Sequence, residues 1–207
     1  MTDASQRRPV IAIDGPAGSG KSTVSRALSE RLGLDRLDTG AMYRAVTWAA
    51  LDRGLDPGDR AAVSELARKL DIIVADRVTA DGTDVTEAIR EADVNATVSE
   101  IAANPEVRAV LVEQQRRWTE GRDGAVVEGR DIGSVVLPRA DLKVFLTASE
   151  DERARRRAEE GSEAMARRDR IDRTRTTSPL EIAEGARVLD TTGRSVDEIV
   201  EEVISWL

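Results

Sequence analysis

Residues 13–22, IDGPAGSGKS, crowd three glycines, a lysine and two serines into ten positions. Gly15, Pro16, Ala17, Gly18, Ser19, Gly20, Lys21 and Ser22 fit the pattern G-x-x-x-x-G-K-[ST], and Thr23 follows directly. Glycines in such a turn let the backbone wrap closely around a polyphosphate with its N–H groups pointing inward. A helix beginning at Lys21 would add about half a positive charge from its N-terminus. Lys21 can then reach the β- and γ-phosphates, and the Ser22 hydroxyl can ligate Mg²⁺. The loop is therefore read as the seat of a nucleoside triphosphate with Mg²⁺. GTPases, ATPase motors and small kinases all use such a loop, and the residues downstream must discriminate among them. No guanine-reading N-K-x-D is present, and the apolar run AVVEG offers only Glu128 before Arg130 and Asp131.

Arginines and carboxylates recur at separate places in the chain. DTGAMYR carries Asp38, Thr39 and Arg44; EGRD carries Glu128, Arg130 and Asp131; RRDRIDRTR carries Arg168, Asp172 and Arg175 at spacings of three and four. Phosphoryl transfer needs positioning and positive charge more than covalent help, and one arginine can contribute roughly 10³ to 10⁵ in rate. Arginine also grips phosphate in a planar fork that lysine lacks. Several arginines at strand ends of one sheet edge suit a second, phosphate-bearing substrate facing the first.

The elements that would position these residues follow from apolar spacing and turn chemistry. Residues 9–14, 34–38, 124–129, 142–148 and 186–192 read as short buried strands. Residues 21–32 read as a helix stopped by Gly33, and helices follow over 39–54 and 59–70. A long helical stretch spans about 95–119, with Pro105 as a point of interruption. Between them, residues 71–90 alternate weakly and contain Asp81-Gly82, a hairpin signal. Three Ser-x-x-Glu capping boxes predict helix starts at Ser149, Ser178 and Ser195. The last of these helices would lay Val196, Val200, Val203 and Leu207 along one face. Short strands alternating with helices imply an α/β fold with a parallel sheet.

Composition sets the outer limits. The 207 residues suit about one to one and a half domains, and a net charge of −8 with 34% charged residues argues against a general nucleic-acid binder. Aromatic residues are only 2% of the chain, too few for base-stacking platforms. The absence of cysteine and histidine excludes thiolate, Ser-His-Asp and most zinc chemistry. The opening MTDASQRRP has no apolar run, and no stretch approaches the ~20 apolar residues of a membrane span, so a soluble cytoplasmic protein is expected. The arginines from Arg153 to Arg175, clustered in an acidic chain, point to a local anionic ligand.

Taken together, IDGPAGSGKST, LDTGAMYR, VSEIAANPEVR, VVEGRDIGSVVLP, RRDRIDRTRTTSPL and VLDTT resemble the bacterial cytidylate kinases, members of the nucleoside monophosphate kinases, nearly end to end. The resemblance implies one P-loop kinase domain over 1–207, with a five-stranded parallel sheet flanked by helices. It implies a small β-containing insert over about 59–100 for the monophosphate and a lid over about 154–176. It implies transfer of the γ-phosphate of ATP to CMP or dCMP, with Mg²⁺ accompanying ATP, in a monomer without nucleic-acid or membrane partners. By motif, Thr39, Arg108, Asp131 and Arg175 would surround cytosine, and Ser99, Arg168 and Asp172 would meet the pentose. Arg44 and Arg130 would hold the acceptor phosphate. Lys21, Arg130, Arg168 and Arg175 form the implied catalytic set. The chain departs from the family in its lid, where only AEEGSEAMA separates ERARRR from RRDRIDR; Thr39 and Glu128 stand where serine and aspartate are usual. On the residues alone, a P-loop kinase with another small acceptor, or a nucleotide-binding protein without turnover, remains open.

Overall fold

The computed structural model describes residues 8–156, 170 and 180–207. Its frame is a parallel sheet of β1 (Val10–Asp14), β2 (Asp35–Asp38), β6 (Ala125–Glu128), β7 (Leu142–Thr147) and β8 (Arg187–Asp190), ordered β2-β6-β1-β7-β8. These are the five strands read from the sequence. β6 is buried at all four positions and β1 at four of five, as near-continuous apolar runs in a parallel sheet require. Ile13 lies opposite Glu128, and Asp38 also lies opposite Glu128. The carboxyl ends of β1, β6 and β2 are therefore level, and the loops leaving them meet at one edge.

Helices cover both faces. α1 (Lys21–Leu32) ends at Gly33 in the left-handed region, as its glycine suggested. It packs with α7 (Val196–Ile204) over one face, around Ile11, Ile13, Leu28, Leu146 and Val203. The other face carries α2 (Thr39–Asp52), α3 (Arg60–Lys69), α4 (Ala92–Ala102) and α5 (Pro105–Glu120) around Val46, Val63, Ile101 and Leu111. The long helical stretch is thus two helices. Asn104 leaves the helical region, its side chain accepts from Glu106 N at 3.1 Å, and Pro105 begins the new helix.

β3 (Ile72–Val74), β4 (Val78–Ala80) and β5 (Thr83–Asp84) form the expected small antiparallel sheet. Asp81 and Gly82 join the last two strands with φ of 48° and 77°. Two consecutive positive φ values match the right-handed strand twist, which is why Asp-Gly occupies the turn. Val78 and Ala80 point into the core shared with α2.

Three helix readings need correction. Ser195 and Glu198 form a complete capping box on α7, but Leu207 is 52% exposed because the helix ends at Ile204. At α6 (Glu150–Arg156), Ser149 accepts from Glu152 N at 3.3 Å, yet the Glu152 carboxylate turns to Arg155 and Arg156. Those charged partners outcompete the return bond to the backbone. The helix expected from Ser178 does not run through residues 180–186, which form bends and turns leading into β8; Ser178 itself lies outside the described residues.

Candidate active site

The loop after β1 begins with Gly15 at φ 149°, where a Cβ would press on the Leu146 carbonyl and lie 2.9 Å from Ser19 Oγ. Gly18 and Gly20 also have positive φ, and Gly20 opens α1 with no side chain capping the helix. Four consecutive carbonyls of this loop accept from cationic side chains. Arg130 Nη1 donates to Gly15 O at 2.7 Å, Lys21 Nζ to Pro16 O at 2.8 Å, Arg153 Nη1 to Ala17 O at 3.1 Å and Arg156 Nη1 to Gly18 O at 3.4 Å. A trans peptide points its N–H opposite to its C=O, so this arrangement orients the amides of Ala17 and Gly18 away from those cations. Thr191 Oγ1 donates to Ser19 O at 3.1 Å, holding the loop from the end of β8. Ser19 Oγ is buried without a hydrogen-bond partner among the described residues. An orphaned buried hydroxyl beside a glycine cradle fits a ligand rich in acceptor oxygens.

Arg153 and Arg156 were read as part of a cluster awaiting an anion. Instead Arg153 is 8% exposed and braces the loop, while Arg156 joins it to Thr191 and Glu152. Their signal in the sequence was the arginine run, but it could not distinguish a brace from a ligand site.

Facing the loop is a cleft open to solvent. Lys21, Ser22, Thr39, Arg44, Ser99, Arg108, Arg130 and Asp131 all line it. These eight residues come from five places in the chain: the end of the β1 loop, α2, α4, α5 and the turn after β6 bring them together at the level sheet edge. Gly15, Pro16, Ala17, Gly18, Ser19, Gly20 and Thr23 belong to the adjoining loop and first turn of α1. Arg168, Asp172 and Arg175 lie outside the described residues.

At the far wall of the cleft Arg108 Nη2 donates to Asp131 Oδ2 in an ion pair whose side chains are 3% and 6% exposed. The Arg108 guanidinium also sits 5.5 Å from the Tyr43 ring centroid, a cation–π approach. Tyr43, not singled out from the sequence, thereby sets the orientation of a residue that was. Thr39 Oγ1 donates to Glu128 O at 2.7 Å, which ties the start of α2 to the end of β6.

Glu128 is buried and accepts from Ser22 Oγ at 2.9 Å, Ser25 Oγ at 2.8 Å and Arg36 Nη1 at 2.9 Å. Burial, with the nearby Asp38 carboxylate, pushes its pKa above the usual range, while Lys21 and the two serines oppose the shift. Asp14, also buried, is raised to about 6, chiefly by burial; its bonds to the Gly133 and Ile132 amides pull the other way. No group of three or more acidic or histidine side chains among the described residues could cage a metal ion. Mg²⁺ generally takes one or two protein oxygens and completes its shell with water and phosphate. The Ser22 hydroxyl, next to the Glu128 carboxylate and the cleft, fits that mode of binding.

Comparison with known proteins agrees with this geometry. Residues 11–207 match the model of the Cytidylate kinase family. A cytidylate kinase of Caldanaerobacter subterraneus subsp. tengcongensis is 48% identical over 206 residues, covering 93% of this chain and 92% of that protein. A bifunctional pantoate ligase/cytidylate kinase of Synechococcus sp. (strain CC9902) is 48% identical over 217 residues, covering 96% of this chain. The chain spans only 45% of that bifunctional relative. Among solved structures, a gluconokinase from Sinorhizobium meliloti 1021 aligns with a TM-score of 0.53 at 16% identity, covering 97% of this chain and 91% of that one, a likeness of fold. With a glycine-rich phosphate loop, a level edge of parallel strands and a family match over nearly its whole length, the chain belongs to the cytidylate kinase family.

Proposed function

We propose that this chain transfers the γ-phosphoryl group of ATP directly to CMP, and to dCMP, yielding CDP or dCDP. The observation that carries the reading is the buried Arg108–Asp131 pair across one cleft from Lys21. Cytosine offers an amino donor beside a ring nitrogen and a carbonyl that accept. Asp131 supplies the acceptor for the first, and Arg108 the donors for the other two. Uracil would turn a carbonyl toward the Asp131 carboxylate, acceptor against acceptor, and a hydrogen bond left unmade at a buried group costs about 1–3 kcal/mol.

The remaining residues divide between donor, sugar and acceptor phosphate. The loop from Gly15 to Thr23 holds the ATP phosphates, and Lys21 places its ammonium against the group in transfer. Ser22 would hold the Mg²⁺ that accompanies ATP, which would offset charge on the phosphate oxygens. Arg44 and Arg130 hold the acceptor phosphate, and Ser99 meets the pentose. The resemblance adds Arg168 and Asp172 at the pentose and Arg175 at the base, with Arg168 and Arg175 also closing on the phosphates. In this reading residues 59–100 form the monophosphate-binding insert and residues 154–176 a short lid. An alignment of 217 positions exceeds the chain's 207 residues, so the Synechococcus relative carries insertions absent here.

The proposal extends to a cytoplasmic monomer acting on small molecules. No helix among the described residues is long and apolar enough to cross a membrane. The test is ADP release with ATP–Mg²⁺ and each of CMP, dCMP, UMP and AMP. CMP and dCMP should be turned over at least ~10-fold more efficiently than UMP and AMP. Equal turnover of UMP or AMP, or none with CMP, would overturn the reading.

A further inference from the structure

Asp131 begins a short wide helical turn, Ile132–Val136, from the position where an aspartate would ordinarily cap its own helix. It does not do so: no side-chain cap bond comes from Asp131. The two leading amides instead donate to a carboxylate far away in the chain. Ile132 N donates to Asp14 Oδ1 and Gly133 N to Asp14 Oδ2, both at 2.7 Å. Asp14 is the last residue of β1, only 4% exposed, and immediately precedes the phosphate loop. A second tie runs alongside, Arg130 Nη1 to Gly15 O at 2.7 Å.

We infer that Asp14 is a positioning residue for base recognition: it caps the Ile132–Val136 turn in place of Asp131, leaving the Asp131 carboxylate to face Arg108 and the cleft. This rests on the reading of that cleft as a CMP site. The physical reason is competition for one carboxylate. Two buried amides need an acceptor. Were Asp14 unable to supply it, Asp131 is the nearest carboxylate in sequence, and turning inward would break its pair with Arg108. A buried acid at the end of β1 is thus retained although burial opposes its ionisation. Lys21 and Asp131 are the charged groups acting on it, and the Lys143 stem also lies against Gly133.

The test is Asp14→Asn in the full chain, with KM and kcat measured for ATP, CMP and UMP. Asparagine keeps one acceptor and places an NH₂ against the other amide. The CMP-to-UMP ratio of kcat/KM should fall at least ~5-fold although Asp131 is intact, with KM for CMP rising and KM for ATP within about twofold of wild type. In the Asp131→Asn background the same change should have under twofold further effect on the ratio, since the two act through one carboxylate. A ratio unchanged in Asp14→Asn, or full additivity, would overturn the inference while leaving the CMP reading intact; a wild type that does not prefer CMP would overturn both. A measurement on the wild type stands independently of whether the variant folds. The Ile132 and Gly133 amide resonances should track the titration of the Asp14 carboxyl carbon, and amides that track Asp131 instead would overturn the assignment.

Discussion

At the scale of single residues, the cleft is a set of opposed charges whose effects depend on burial. Arg108 and Asp131 pair with almost no access to water. Removing one member of such a pair leaves the other charged and uncompensated in a buried site, which is costly. Asparagine at 131 can present either an oxygen or an NH₂ to the base. Asp131→Asn should therefore lower the CMP-to-UMP ratio of kcat/KM by about 5- to 150-fold, the equivalent of about 1–3 kcal/mol, and steady-state kinetics with both nucleotides would read it. An unchanged ratio would remove Asp131 from the base. Lys21 bonds the loop through Pro16 and lines the cleft. Lys21→Ala should lower kcat by about 10²–10³-fold, the loss found when one preorganised stabilising group is deleted at a reacting centre. Near-normal turnover would contradict its place on the phosphates.

Among the elements, the end of β1 is the junction on which the site is assembled. The phosphate loop leaves it forward, and Asp14 reaches sideways to the turn after β6. Burial holds the Asp14 carboxyl at about 6 against an ordinary 3.8. Between about pH 4 and 6 the unfolded chain has already lost this proton while the folded protein still keeps it. The folded state then binds more protons, and this group's contribution to stability declines as pH rises through the window. At 1.36 kcal/mol per unit, the decline is up to about 3 kcal/mol. Asp14→Asn does not titrate, so the difference in Tm, variant minus wild type, should increase from pH 4 to pH 6.5. Thermal unfolding in matched buffers checks this, and a difference flat with pH would mean that Asp14 is not perturbed. A site element held at a stability cost is expected where positioning matters to the reaction.

For the whole molecule, the loop after β1 and the cleft residues meet at one sheet edge, so ligand binding there should stabilise the entire fold. A ligand at 100 times its Kd adds about 2.7 kcal/mol. For a chain of this length each kcal/mol moves Tm by roughly 2–4 °C. CMP at 100 times its Kd should thus raise Tm by about 5–10 °C, and UMP at the same concentration by a smaller amount; equal shifts would argue against base recognition in the cleft. Much of the frame was legible beforehand because its determinants are local. The glycine pattern from Gly15 to Gly20, the stop at Gly33, the Asp81-Gly82 turn and the Ser195–Glu198 box each act within a few residues. Local signals also misled: the Ser178 box met no helix in the residues that follow, and Glu152 chose arginines over its cap. The sequence by itself determined which backbone conformations were favoured and which chemistries were excluded. Only the tertiary structure decided that Asp14 caps a turn 118 residues away, that Arg153 braces the loop and that Tyr43 lies against Arg108. Such contacts leave no periodic or turn signal, because they come from the packing of distant segments against one sheet rather than from the preferences of any one segment.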